Sequence, residues 1–259
     1  MTISVTNHST QAFGWQRWHI SRPKSLNALG TSIAGELTEV LEQTRLTSSP
    51  EIRAIVITAE AISRGDKCIW IAGGDLKELA LLTTKSAGRD YARTMRLFCE
   101  GLETLPMPVV TVIDGAAIGG GAELAIAGDI RFATVRSSLE FKQLKVGLAT
   151  GYGAASRLVE LVGKSRAQSL LYFSESIDSQ EALKSGLVHR LISFTSDEDL
   201  GEALLPILQL EPVAMAAQKK MLRLATSQPQ GNHSWADDIF ESIWLNATHA
   251  KTLADFTKS

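Results

Sequence analysis

The sequence predicts an α/β fold with parallel strands, and three observations predict it. Short apolar runs rich in Val and Ile alternate with stretches of helical periodicity. Twice, such a run passes through a cluster of glycines into a helix-patterned stretch. From about Ser196 the strand-like runs stop and only helical patterns follow. With 259 residues, 44% of them hydrophobic, the chain can build one main core with an appendage.

Taken in order, residues 32–45 read as the first helix and 52–58 as a β-branched strand. The first glycine cluster follows at Ala72-Gly73-Gly74-Asp75, with Asp75 a candidate N-cap of a short helix. Residues 89–105 read as a helix and 109–113 as a second strand, which leads into Gly119-Gly120-Gly121-Ala122-Glu123-Leu124 and a helix over 123–127. A strand at 130–133, two helical stretches at 154–161 and 164–173, and a strand at 187–192 complete the alternating part. Helical patterns then cover 200–210, 213–226 and 234–254.

The glycine turns carry the chemistry. The first amides of a helix lack acceptors within it and lie at the positive end of its dipole, so a developing oxyanion can be held there. Glu123 lies three residues after Gly120 and so shares roughly one face with it. One amide donor and one candidate acid or base thereby converge, and the turn at Ala72 to Asp75 can add a second donor.

These segments, in this order, together with Arg22-Pro23-Lys24-Ser25-Leu26-Asn27-Ala28-Leu29, resemble the crotonase, or enoyl-CoA hydratase/isomerase, family. The resemblance covers nearly the whole chain. It implies a spiral of β-β-α units over residues 1–195 and a C-terminal helical region over 196–259 that covers the site and supports a homotrimer or a dimer of trimers. It implies an acyl-CoA substrate, with coenzyme A as part of that substrate and no separate cofactor. The amides of Ala72 and Gly120 would hold the thioester oxygen, while Lys24, Ser25, Leu26, Gly73, Gly74 and Asp75 would line the coenzyme A path. Tyr152, Trp244 and Phe256 complete the expected substrate contacts, Trp244 from the helical tail.

Hydratases of the family place a second glutamate about twenty residues after the one matching Glu123. In an ungapped alignment Gln143 stands there, flanked by Lys142 and Lys145. An amide cannot exchange protons at neutral pH, so Gln143 enters the catalytic set as a polar neutral group. Glu140, the nearest upstream acid, would require a shift of three residues. One glutamate, one oxyanion hole and a neutral second position resemble the decarboxylating branch, of the ethylmalonyl-CoA decarboxylase type. The leading expectation is therefore decarboxylation of a 2-carboxyacyl-CoA, with a proton supplied by Glu123 or Tyr152. Hydration of an enoyl-CoA is the alternative. A catalytically weak scaffold or RNA binder of the same fold is the reading from another class.

Other functions find little support. A net charge of −2, and a helix carrying Glu36, Glu39 and Glu42 against Arg45, disfavour nucleic acid. No apolar run reaches bilayer length and the N-terminus lacks the pattern of a signal peptide, so no membrane partner is expected. Two cysteines, Cys68 and Cys99, and five scattered histidines lack metal-ligand spacing, which predicts no metal and a reducing, cytoplasmic setting. Gly151-x-Gly153 lacks the third glycine of a dinucleotide fingerprint. The stretch 60–67 is longer than the family pattern, which predicts an altered pocket rim.

Overall fold

Each turn of this fold lays one strand in each of two sheets and then returns through a helix. The structure, a computed structural model, describes residues 2–10, 13–47, 49, 51–227, 234–244 and 246–256. An N-terminal hairpin of β1 (Ile3–Thr10) and β2 (Phe13–Ile20) leads through α1 (Thr31–Thr47) to β3 (Ile52–Ala59), which runs parallel to β2. Next come β4 (Ile62–Arg64), β5 (Lys67–Ile71), the short α2 (Leu76–Leu79) and α3 (Lys85–Leu102). The second turn is β6 (Val109–Ile113), β7 (Ala116–Ile118) and α4 (Gly120–Ala125). The third is β8 (Ile130–Ala133), β9 (Ser138–Glu140) and α5 (Ala154–Tyr172). Strand β10 (Ser176–Asp178), α6 (Ser179–Lys184) and β11 (Arg190–Leu191) close the spiral.

The first sheet has the order β1-β2-β3-β6-β8-β11 and the second β10-β9-β7-β5-β4. The apolar composition explains why the central strands lie between layers. All five residues of β6 are buried, as expected for a strand covered on both faces. Helix α3 seals the core with Met95, Phe98, Cys99 and Leu102, spaced at one helical face. Within the second sheet β5, β7 and β9 are parallel neighbours. Their C-terminal ends open into the segments at Ala72, Gly119 and Phe141.

The strands read at 52–58, 109–113, 130–133 and 187–192 all fall in the first sheet, the last only as Arg190–Leu191, and the short strands of the second sheet were not read; the spiral of β-β-α units that the resemblance implies is the architecture. Residues 154–173 form two helical pieces joined at Gly163, whose φ of 73° breaks the helix, matching the division seen in the periodicity. The long stretch 60–67 folds as the β4–β5 hairpin, paired Ile62 to Ile69, with Gly65 at φ 59° in its turn.

After Ser196 come α7 (Asp197–Leu208), α8 (Pro212–Ser227), α9 (Ser234–Ile243) and α10 (Ala247–Phe256). Ser196 and Asp199 form a reciprocal capping box at the start of α7. Leu200, Leu204 and Leu208 of that helix then pack with Trp15, Val56, Val110 and Phe132 on the outer face of the first sheet. Lys219 of α8 is drawn inward, its Nζ donating to the carbonyls of Leu102 and Met107 and pairing with Asp129 at 2.6 Å.

Candidate active site

The two glycine turns meet. A Cβ on Gly73, whose φ is 101°, would lie 2.8 Å from the Ile118 carbonyl oxygen, so only glycine lets the first turn approach the second this closely. Gly121 is pinned in the same way, since a Cβ there would collide with the backbone and side chain of Ile71. Sequence and packing agree here: glycines stand where backbone touches backbone.

Accounting for the backbone amides then decides which ones are free. The Ala72 N–H donates to the Leu26 carbonyl at 3.1 Å, and the Gly119 N–H to the Glu140 carbonyl at 2.7 Å. Neither Gly74 nor Gly120 has a backbone acceptor among the described residues. This departs from the expectation for Ala72: its amide stitches the turn to the Lys24–Leu26 segment, and the amides of that turn left without a backbone acceptor among the described residues are those of Gly73 and Gly74. Gly120 holds its expected place as the first residue of α4.

Asp75 caps α2, accepting from the amides of Lys77 at 3.2 Å and Glu78 at 3.4 Å. Arg22 clamps this cap from the other side, reaching Asp75 at 3.2 Å and Glu78 at 2.7 Å. Glu78 also accepts from the Ser32 amide, and that bond, with those from Arg22, Thr31 and Ser32, holds its carboxyl down at about 2. Of the expected coenzyme A contacts, Lys24 is exposed, and Ser25 and Leu26 are half-buried next to the Ala72 turn. Asn27, in the left-handed region at φ 57°, ties that segment to the Trp70 carbonyl at 2.8 Å.

Glu123 is the buried charge of the site, 2% exposed. Its Oε1 accepts from Gln143 Nε2 at 2.8 Å and the Gly151 amide at 3.1 Å, and its Oε2 from the amides of Tyr152 at 2.8 Å and Ala154 at 3.4 Å. Burial raises its pKa, and these four donors oppose the rise without cancelling it. Gln143 therefore stands beside Glu123, where the ungapped alignment puts it, with its Oε1 buried and lacking a partner among the described residues. Glu140 points elsewhere: its carboxylate meets Ser176 Oγ at 3.1 Å and the Lys142 ammonium. That excludes the shifted alignment.

Tyr152 lies with its ring on Gly120, so close that a Cβ there would sit 2.7 Å from Cε2. Its hydroxyl meets that of Tyr91 on α3, which donates to the Leu29 carbonyl at 2.6 Å. Trp244 is half-exposed at the end of α9, and its rings contact Phe240 and His249. The structure thus gathers Gly74, Gly120, Glu123, Gln143 and Tyr152, and it leaves Trp244 in a separate aromatic cluster. The side chain of Phe256 lies outside the described residues. No cluster of three or more metal-ligating side chains occurs among the described residues. Sequence reasoning placed Gly74 among the lining residues and not among the donors, and only the hydrogen bond made by Ala72 separates the two. It missed Tyr91, which stands in no motif.

A family model described as enoyl-CoA hydratase/isomerase matches residues 17–256. The chain belongs to that family. Among similar proteins, the short-chain-enoyl-CoA hydratase of Clostridium acetobutylicum is 32% identical over 67% of this chain and 63% of its own length. An enoyl-CoA isomerase/hydratase of Zymoseptoria tritici is 33% identical over 71% of this chain, a match that spans 58% of the relative. The crotonyl-CoA hydratase of Syntrophomonas wolfei is 29% identical over 88% of this chain and 82% of that one. The crystal structure of an enoyl-CoA hydratase from Bacillus anthracis superposes with a TM-score of 0.85 at 27% identity, covering 100% of this chain and 96% of that one.

Proposed function

We propose that this member of the family hydrates an enoyl-CoA thioester. The observation that carries the reading is the buried Glu123 carboxylate one helical turn beyond the free Gly120 amide. In this scheme the N–H groups of Gly74 and Gly120 donate to the thioester oxygen and take the negative charge that forms as water adds at C3. Glu123 removes a proton from that water. The Ala154 contact at 3.4 Å is the weakest of its four, so Oε2 is the oxygen that water approaches. The unpartnered Oε1 of Gln143 accepts the second hydrogen of the water and fixes its orientation.

Hydration replaces decarboxylation as the leading reading. The similar proteins above are named as hydratases, and a buried, desolvated carboxylate with raised pKa is suited to take a proton near neutrality. Decarboxylation of a 2-carboxyacyl-CoA remains the second reading because Gln143, a neutral amide, sits 2.8 Å from Glu123 where hydratases carry an acid. Both reactions pass through the same enolate, so the hole alone does not separate them. Purified protein given crotonyl-CoA, methylmalonyl-CoA and ethylmalonyl-CoA separates them, with loss of the enoyl chromophore and release of carbon dioxide followed in parallel. The proposal expects crotonyl-CoA to be consumed. Carbon dioxide release from a malonyl-type thioester without hydration of crotonyl-CoA would reverse it.

A further inference from the structure

Hydration through Glu123 alone leaves one transfer unassigned: the enolate formed when hydroxyl adds to C3 must receive a proton at C2. Gln143 cannot give one. Glu123 then carries the water's proton and returns it at the end of the cycle. The protic group that remains against the hole is the phenol of Tyr152. Its oxygen would lie 3.0 Å from a Cβ on Gly120, so it borders the amide that holds the thioester oxygen, and C2 is only two bonds from that oxygen.

We propose that Tyr152 is the acid that protonates C2 of the enolate, with Tyr91 as its positioning partner; the proposal rests on the enoyl-CoA reading above. Three observations carry it. First, Tyr152 is held at both ends. Its amide donates to Glu123 at 2.8 Å, and its carbonyl accepts from Arg157, which is anchored in turn to Glu103 at 2.7 Å. Second, the side chain is 5% exposed, so bulk water does not compete for the transfer. Third, the hydroxyl has a defined proton direction. Tyr91 commits its proton to Leu29 O at 2.6 Å, which makes Tyr152 the donor in the contact between the two hydroxyls.

Leu29 is itself part of the other half of the hole, since its amide donates to Gly73 O at 2.6 Å and its carbonyl accepts from Asp75 N at 3.0 Å. The hydroxyl chain therefore runs from one oxyanion turn to the other, behind the place where C2 would sit. Rotation about the phenol C–O bond turns the Tyr152 proton from Tyr91 to C2. The step balances: the enolate pair forms the C2–H bond, the O–H pair stays on Tyr152 as phenolate, and Tyr91 can turn its proton to that phenolate. The proton that Glu123 took from water then restores the neutral phenol, so the net change is addition of one water. Burial keeps the Tyr152 phenol well above its ordinary pKa, so it is protonated throughout the working range.

The test uses the full chain and crotonyl-CoA. Tyr152→Phe keeps the ring on Gly120 and removes the hydroxyl, and kcat is expected to fall about 10²- to 10⁴-fold while KM moves less than about threefold. Tyr91→Phe is expected to lower kcat by about tenfold or less, again with KM unchanged. Replacing Tyr152 by 3,5-difluorotyrosine preserves the packing and makes the phenol a stronger acid, so the alkaline limb of the kcat profile moves to lower pH. That variant decides the matter even where Tyr152→Phe folds poorly. Wild-type kcat in Tyr152→Phe, or an unmoved alkaline limb in the fluorinated protein, overturns the tyrosine's role and leaves hydration standing. A wild-type protein that hydrates no enoyl-CoA overturns the hydratase reading itself and the tyrosine with it.

Discussion

The two glycine turns reach the same end by different means. The turn at Ala72 to Asp75 is held from outside: Arg22 and the Asp75 cap fix it, and the Ala72 amide is tied to Leu26. The turn at Gly119 to Glu123 is held from inside, by the tight seat of Gly121 on Ile71 and by four donors around one buried carboxylate. In both, one amide is consumed in joining the turn to its neighbour, and a following one is left over. The donor is the remainder of the hydrogen-bond account. The first turn should therefore depend on surface-linked charge and so on pH, and the second on buried geometry.

The largest expected effect breaks the second turn at its charge. Glu123→Gln removes the exchangeable proton site and should lower turnover by about 10² to 10⁴. It also sets an NH₂ against amide donors that now face a donor, at a stability penalty of about 1 to 3 kcal/mol measurable by denaturant unfolding. Unchanged kinetics in a folded variant would assign Glu123 a structural role. Because burial raises this carboxyl's pKa, native activity that needs the carboxylate should decline, as pH falls, at higher pH than for an ordinary glutamate.

Next in size is the loss of a single donor. Gly120→Pro deletes the N–H at a first helical position, which proline tolerates, and should cost about 10²- to 10³-fold in kcat. Gly120→Ala presses on the same Tyr152 ring while keeping the N–H, so the difference between the two variants isolates the hydrogen bond. Equal activity in both would place the donor elsewhere.

A smaller effect, of opposite sign, is expected at the second position. Gln143→Glu puts two carboxylates within a contact that now measures 2.8 Å, so the pair holds one proton to higher pH than either would alone. Hydration of crotonyl-CoA should rise several-fold at mildly acidic pH, and the gain should fade as that shared proton is lost on raising pH. Lower activity across the whole profile would show that the amide, rather than an acid, is required there.

The smallest effect belongs to the first turn. Glu78, with its pKa held at about 2, contributes stability that is fully present above the unfolded carboxyl value and is lost as pH falls toward 2. Thermal melts of Glu78→Gln and the native chain should differ at neutral pH and converge between about pH 4.5 and 2. A difference that persists at pH 2 would mean that the clamp acts by shape rather than charge.

The α/β class was legible because the central strands of the first sheet are buried on both faces and so read as plain apolar runs, whereas the spiral came from the family resemblance. Strand β1 was not, since only Ile3 of its eight residues is buried and four of its five exposed residues, Ser4, Thr6, Asn7 and Ser9, are polar. Strand β2 hides its period behind a register shift between Gly14 and Gln16. The site residues Gly120, Glu123 and Gln143 were legible because a helical turn and an ungapped spacing fix them along the chain. Gly74 was read as a lining residue and not as a donor, because that role depends on where the Ala72 hydrogen bond goes, and Tyr91 was not read because it reaches Tyr152 across the fold.

One feature of the second sheet bears on how such a site can change. The turns bearing Gly74 and Gly120 and the segment bearing Gln143 leave three adjacent parallel strands, β5, β7 and β9, at the same end. Neighbouring strands are spaced about 4.8 Å apart, so the sheet is a ruler whose graduations the side chains cannot alter. An oxygen about 2.9 Å from two amides separated by one such step sits roughly 1.6 Å off the line joining them, a shallow saddle open to one side. Insertions such as the β4–β5 hairpin reshape the surroundings without touching that scale. Such a site can therefore drift by substitution at single marks on the ruler, as the amide at residue 143 illustrates, while the spacing of its two amide donors keeps its dimensions.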